Sequence, residues 1–194
     1  MTRGGTRGPA NQGTGMDQGQ ADALRRRERS VAWEDPGAAA QAGRSMAGIA
    51  YLRAMRDGAL PRPPVSALLG MEFAEVEPGR VVMRLLPGEH LYNPLGTVHG
   101  GLIATLLDSV MGCAVHSTLP RGRGYTTLEI KVNYVRAVTE ATGMVSAEGR
   151  VTHAGRQAAV AEARLTDAGG KLYATASTTC LVFDLPGASA MAGA

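Results

Sequence analysis

The stretch "NPLGTVHGGLIATLLD", Asn93–Asp108, sets a histidine and two glycines ahead of a long apolar run and places one carboxylate inside that run. The first N–H groups of a helix have no partner within it and carry the positive end of its dipole. Where no side chain crowds them, they stabilise negative charge developing on an oxygen. Gly100 and Gly101 offer that bare backbone. Asp108 adds a group able to act as a nucleophile or as a general base. These are parts suited to attacking a carbonyl carbon and holding the resulting oxyanion.

The same residues also fit plainer roles. A glycine pair makes a turn, or lets a helix sit close against a sheet. Asp108 falls on a small or polar ridge with Gly101, Thr105, Gly112 and His116, as a solvated stripe would. Yet the apolar run carries no Lys, Arg or Glu, so its carboxylate is expected in a buried place or at an interface, where such groups acquire altered acidity. His99 is a candidate base, or else a side chain that hydrogen-bonds the preceding loop with Asn93 as its partner. Gly101 and Asp108 stand seven residues apart, roughly 10 Å along a helix, too far to close on one small reacting group. If they cooperate, the cooperating residues come from different subunits.

The elements that must position these residues are legible in the periodicity. "SMAGIAYLRAMRDG" repeats Met46, Ile49, Leu52 and Met55 at helical spacing. "PPVSALLG" gives a second short helical turn. "MEFAEVEPGRVVMRLL" reads as two strands joined at Pro78-Gly79. The long helix starts near His99 and ends before Pro120. Four strand segments follow: "YTTLEIKVNYVRAV", with Leu128, Ile130, Val132 and Tyr134 on one face, then "GMVSAEGRVTHAG", "RQAAVAEARLTDAGG" and "KLYATASTTCLVFDL". One long helix before four consecutive strands implies an α+β layer with the helix packed on an antiparallel sheet.

The chain has 194 residues, 44% of them hydrophobic and only 4% aromatic, enough for one core built on aliphatic side chains. Residues 1–45 are poor in large aliphatics and are expected to lack fixed structure, with a short helix around "QADALRRRERS". Residues 46–184 form the folded domain, and residues 185–194 a flexible tail. The net charge is +3, but from Arg62 to Asp184 eleven basic residues balance eleven acidic ones. A basic tail on a neutral body does not make a nucleic-acid-binding domain. No run approaches the roughly 18 apolar residues of a membrane span, and the N-terminus lacks the apolar core of a secretory leader, so the expected location is cytoplasmic. His90, His116 and His153 share no ligand spacing, and no metal is expected. Cys113 and Cys180 read as small buried groups.

Asn93, Gly96, His99-Gly100-Gly101 and Asp108, in this spacing ahead of four strands, are together similar to the hotdog-fold acyl-CoA thioesterases of the PaaI (phenylacetate-pathway) group. The resemblance runs from about Leu60 to Phe183. It implies a long central helix wrapped by a curved antiparallel sheet, and subunits that join sheet to sheet as a dimer or a dimer of dimers. It implies that the Gly100 N–H of one subunit polarises a thioester carbonyl, while Asp108 of the partner subunit attacks the carbon or activates water. Thr127 matches a position where the family often has Ser or Thr, orienting water or the carboxylate. Asn93 and His99 shape the loop and position the thioester.

The implied substrate is an acyl-CoA, aromatic (phenylacetyl or hydroxyphenylacetyl) or of medium size. Coenzyme A enters as part of the substrate, and no cofactor is expected. It leaves as a thiolate with a thiol pKa of about 8.5, so no strong general acid is needed. Gly101 is expected among the residues that bind the substrate and its CoA. Candidates for its phosphates are Arg156, with Gly155 offering backbone contact, and Arg136, besides Arg121 and Arg123. Two other readings stand beside this one: a non-catalytic acyl-CoA binding module, and a hotdog enoyl-CoA hydratase or dehydratase.

Overall fold

The computed structural model describes residue 19 and residues 25–186. The chain divides into two units, Met1–Ser30 and Val31–Ala194. In the first, residues 25–30 carry no regular element. The helix expected around residues 20–30 is therefore absent from its second half, where Arg25 and Arg29 stand at i,i+4 and like charges oppose helix formation. Residues 20–24 and 187–194, on which other expectations fall, lie outside the described residues.

The second unit begins with a helix inside the stretch expected to lack structure. This is α1, Pro36–Ser45. Asp35 caps it, accepting from the Gly37 N–H at 2.8 Å, and Pro36 occupies its first turn. Cap, proline and an alanine-rich body are each favourable at those positions, a local signal that average composition hides. Helix α2, Gly48–Arg56, buries Leu52 and Met55, two of the four residues whose spacing marks it. Helix α3 is the short turn Pro64–Leu69.

Among the described residues, six strands make one antiparallel sheet in the order β1-β2-β4-β5-β6-β3. They are β1 Met71–Glu77, β2 Arg80–Leu85, β3 Arg123–Tyr134, β4 Val145–Ala154, β5 Ala158–Asp167 and β6 Leu172–Asp184. The turns at Pro78-Gly79 and at Asp167–Gly170 join neighbouring strands as expected. At the second turn Asp167 Oδ1 accepts from the N–H groups of Gly169 and Lys171.

Helix α4, Gly100–His116, lies in the concave face of this sheet, which gives the hotdog fold. Leu106, Leu107, Val110, Met111, Ala114 and Val115 of α4 are fully buried with Val81, Ala147, Ala161 and Leu165 of the strands. The helix backbone sits directly on β4. A β-carbon on Gly149 would stand 2.6 Å from the Val110 carbonyl oxygen, so only glycine admits that approach. Among the described residues, no helix is long and apolar enough to cross a membrane.

After α4 the chain crosses to the far edge of the sheet, so β3 has one open side. The register of β3 against β6 shifts between Thr127 and Glu129. Such a bulge turns over the alternation of faces along a strand.

Candidate functional site

The loop before α4 is tied by Asn93. Its Oδ1 accepts from the N–H of Leu95 at 2.9 Å and of Thr97 at 3.3 Å, and its Nδ2 donates to Thr97 Oγ1 at 3.1 Å. Gly96 closes the turn with φ of 75°, a conformation other residues adopt at a cost. The Val98 N–H donates to the Val138 carbonyl and the His99 N–H to the Leu91 carbonyl, both at 2.8 Å. The entry to α4 is thereby held from two sides.

His99 is the N-cap of α4. Its Nδ1 accepts from the Gly101 N–H at 3.0 Å, and its carbonyl accepts from Leu102 at 2.9 Å and Ile103 at 3.3 Å. The expected His99–Asn93 bond does not form. The Asn93 side chain is occupied within its own loop, and the orphan amide of Gly101 lies closer to His99. An imidazole that accepts at Nδ1 carries its proton, when neutral, on Nε2. With His99 holding three amides of the first turn, the Gly100 N–H is left without an acceptor among the described residues. Gly101, though part of the same pair, has its N–H engaged, and its carbonyl accepts from Thr105 Oγ1 at 2.9 Å.

The Gly100 carbonyl accepts from the Tyr134 hydroxyl at 2.8 Å. A β-carbon at Gly100 would lie 3.3 Å from that ring, so the bare backbone also makes room for Tyr134. Further along α4, Asp108 is half-buried and accepts at Oδ1 from Thr127 Oγ1 at 2.9 Å. Thr127 and Tyr134 are seven positions apart, an odd number, and in a regular strand they would face opposite sides. The bulge between Thr127 and Glu129 lets both turn toward α4.

The surroundings of Asp108 favour neutral neighbours. Burial, and then the Asp108 charge, push the Cys113 thiol up to about 12, so it is no thiolate nucleophile near neutral pH. Burial above all raises the Tyr125 phenol. Cys180 is buried as expected, whereas Cys113 is only partly so. Among the described residues no group of three His, Cys, Asp or Glu is placed to hold a metal ion.

The phosphate candidates lie far apart. Arg156 and Gly155 sit in the β4–β5 turn, where the Arg156 carbonyl accepts from Arg123 Nη2 and the Gly155 N–H donates to Ala158 at 2.9 Å. Arg136 follows the other end of β3, and its guanidinium donates to the Leu172 carbonyl. The register of β3 pairs Arg123 with Asp184 at one end and Tyr134 with Ala174 at the other. Arg136 and Arg156 of one chain therefore cannot reach the same phosphate. Tyr125 is not among the candidate residues of the sequence. Tyr134 has a sequence signal, its place in the alternation of β3, but the bulge hides its relation to Thr127.

Residues 95–174 match the family model described as Thioesterase superfamily. The chain is 27% identical over 114 residues to the 1,4-dihydroxy-2-naphthoyl-CoA hydrolase of Listeria monocytogenes, covering 59% of this chain and 91% of that one. Among solved structures, a conserved protein from Pseudomonas aeruginosa is 37% identical with a TM-score of 0.59, covering 63% of this chain and 95% of that one. A protein from Streptococcus mutans, solved bound to acetyl CoA, is 28% identical with a TM-score of 0.54, covering 59% of this chain and 90% of that one.

Proposed function

Because the chain belongs to the thioesterase superfamily and is a thioester hydrolase, we propose that it hydrolyses an acyl-CoA of the PaaI type to free acid and CoA. The substrate is aromatic, as phenylacetyl- or hydroxyphenylacetyl-CoA, or of medium acyl size. The observation that carries this reading is the division of labour along α4: an unpartnered Gly100 N–H at its mouth and a carboxylate on its flank, held by Thr127. The Listeria relative, a hydrolase of an aromatic acyl-CoA, and the Streptococcus protein bound to acetyl CoA support the substrate class.

Gly100 and Asp108 are eight residues apart, about 12 Å along the helix, so each site takes Gly100 from one subunit and Asp108 from the other. The open edge of β3 supports a sheet-to-sheet pair, since it carries Leu128 at 61% and Ile130 at 36% exposure. The thioester oxygen accepts from the Gly100 N–H and gains negative charge as the carbon is attacked. One such donor is worth roughly 3 kcal/mol in the transition state. Thr127 holds Oδ1 of Asp108 and leaves Oδ2 toward the carbon or toward a water. In the first case Oδ2 bonds to the carbonyl carbon, CoA leaves as thiolate, and water then cleaves the anhydride. In the second, Asp108 takes a proton from the attacking water. Asn93 holds the loop that presents this mouth. Arg156 with Gly155, and Arg136 from the opposite end of a sheet, contact CoA phosphates from different subunits.

The hydratase reading loses its base, because His99 Nδ1 is committed to the Gly101 N–H. The test is release of CoA thiol from phenylacetyl-, hydroxyphenylacetyl-, benzoyl-, hexanoyl- and palmitoyl-CoA by the native protein and by Asp108→Asn. Turnover by the native protein and its loss in a folded Asp108→Asn support the reading. Binding without turnover by the native protein favours the acyl-CoA binding module.

A further inference from the structure

One turn beyond Asp108, α4 and β3 meet in direct contact. There Gly112 faces Tyr125, which precedes Thr127 by two positions on β3. A β-carbon on Gly112 would stand 2.5 Å from Tyr125 Oη and 2.8 Å from its Cε2, so the ring rests against the helix backbone itself. One turn further, the His116 ring centre lies 5.6 Å from that of Tyr125, and Tyr51 of α2 lies 5.5 Å beyond His116. Three rings in a row fill the space past Gly112. In the other direction along β3, past Thr127, Leu128 and Ile130 are exposed. The Tyr125 hydroxyl has no hydrogen-bond partner among the described residues, so what the side chain contributes here is the bulk of its ring.

We propose that Tyr125 is a specificity-determining residue: its ring, seated on Gly112, is the end wall of the acyl pocket. This rests on the hydrolase reading with Asp108 beside the thioester carbon. From Asp108 to Gly112 is four residues, about 6 Å of helix, and the acyl group has that depth before it meets the ring. A short chain fits in that depth, or an aryl group lying along α4, and a long straight chain does not. Gly112 is the counterpart that keeps the wall in place, since any side chain there would drive the ring outward.

The test compares kcat/KM for dodecanoyl-CoA and butyryl-CoA in the native protein, Tyr125→Phe, Tyr125→Ala and Tyr125→Leu. Each slot for a methylene in an apolar pocket discriminates by about tenfold or more. The dodecanoyl-to-butyryl ratio is therefore expected to rise at least about tenfold in Tyr125→Ala, less in Tyr125→Leu, and to stay near the native value in Tyr125→Phe. A general loss of packing would lower both substrates together and leave the ratio unmoved. If Tyr125→Ala does not fold, Tyr125→Leu decides. An unchanged ratio in the folded variants, with the native protein active, overturns the end wall alone. A native protein that releases no thiol from any acyl-CoA overturns the hydrolase reading, and the end wall falls with it.

Discussion

Thr127 Oγ1 donates to Asp108 Oδ1 across 2.9 Å, linking the edge strand to the carboxylate of the central helix. A hydrogen bond to a charged group contributes about 1.5–3 kcal/mol, and here it also selects which oxygen faces outward. Thr127→Ala is expected to lower kcat about tenfold, equivalent to about 1.4 kcal/mol in the barrier, with less effect on KM. Thr127→Ser keeps the hydroxyl and is expected to keep most of the rate. Asp108→Asn loses the nucleophile or base and is expected to fall by about a hundredfold or more. Steady-state thiol release measures all three. A Thr127→Ala enzyme with native kcat would remove the hydroxyl from the mechanism.

His99 caps α4. Its Nδ1 holds the Gly101 N–H, and its carbonyl serves the next two amides. Loss of an N-cap costs about 1 kcal/mol, which for a chain of this size lowers Tm by about 2–4 °C. His99→Ala is expected to show that loss, and His99→Asn, which caps as well, to recover it. Turnover in His99→Asn should fall by less than the roughly hundredfold that loss of a general base costs. A native Tm with a larger loss of kcat would return His99 to the chemistry.

The helix mouth is legible in the sequence because its physics is local. Bare amides, a cap and a carboxylate eight residues on all belong to one helix, and their spacing alone gives the separation on which the proposed two-subunit site rests. Alternation in "YTTLEIKVNYVRAV" places Leu128, Ile130, Val132 and Tyr134 together. It does not reveal that Thr127, of opposite parity, shares their side, because the bulge after Thr127 is a property of pairing with β6. The position of β3 at the far edge is equally silent, since long-range pairing leaves no mark on neighbouring residues. The His99–Asn93 bond fails as an expectation for the converse reason: each side chain finds a backbone N–H within its own few residues. Helix α1 is missed because composition averaged over 45 residues dilutes one capping Asp and a run of alanines.

An open sheet edge with exposed apolar side chains is a template for pairing with another copy. On β3, Leu128 is 61% and Tyr134 52% exposed. Ile130→Lys is expected to yield monomers in sedimentation velocity and to lose thiol release by about a hundredfold, as removal of the carboxylate itself would. The reason is the separation of Gly100 and Asp108 by about 12 Å on one helix. A fully active monomer would place both groups of the site within one chain and refute the two-subunit arrangement.

The buried imidazole of His116 sets a pH limit on stability. It lies between the rings of Tyr51 and Tyr125, and burial lowers its pKa from the ordinary 6.5. In the unfolded chain the ring takes up a proton as pH falls through about 6.5. In the folded chain it resists until lower pH. The unfolded state therefore binds more protons in that window, and stability rises with pH there. The stability is fully present above 6.5 and is lost as pH falls below it, until the folded ring also protonates. Carboxylates act in a lower window, as Asp167 does: hydrogen bonds, chiefly from the Lys171 N–H, hold it below its ordinary 3.8. Urea midpoints at pH 7.5 and 5.5 are expected to differ in the native protein, with the lower midpoint at pH 5.5. His116→Phe keeps an aromatic ring between Tyr51 and Tyr125 but cannot take a proton, and is expected to narrow that difference. An unaltered difference in His116→Phe would assign the pH dependence to groups other than His116.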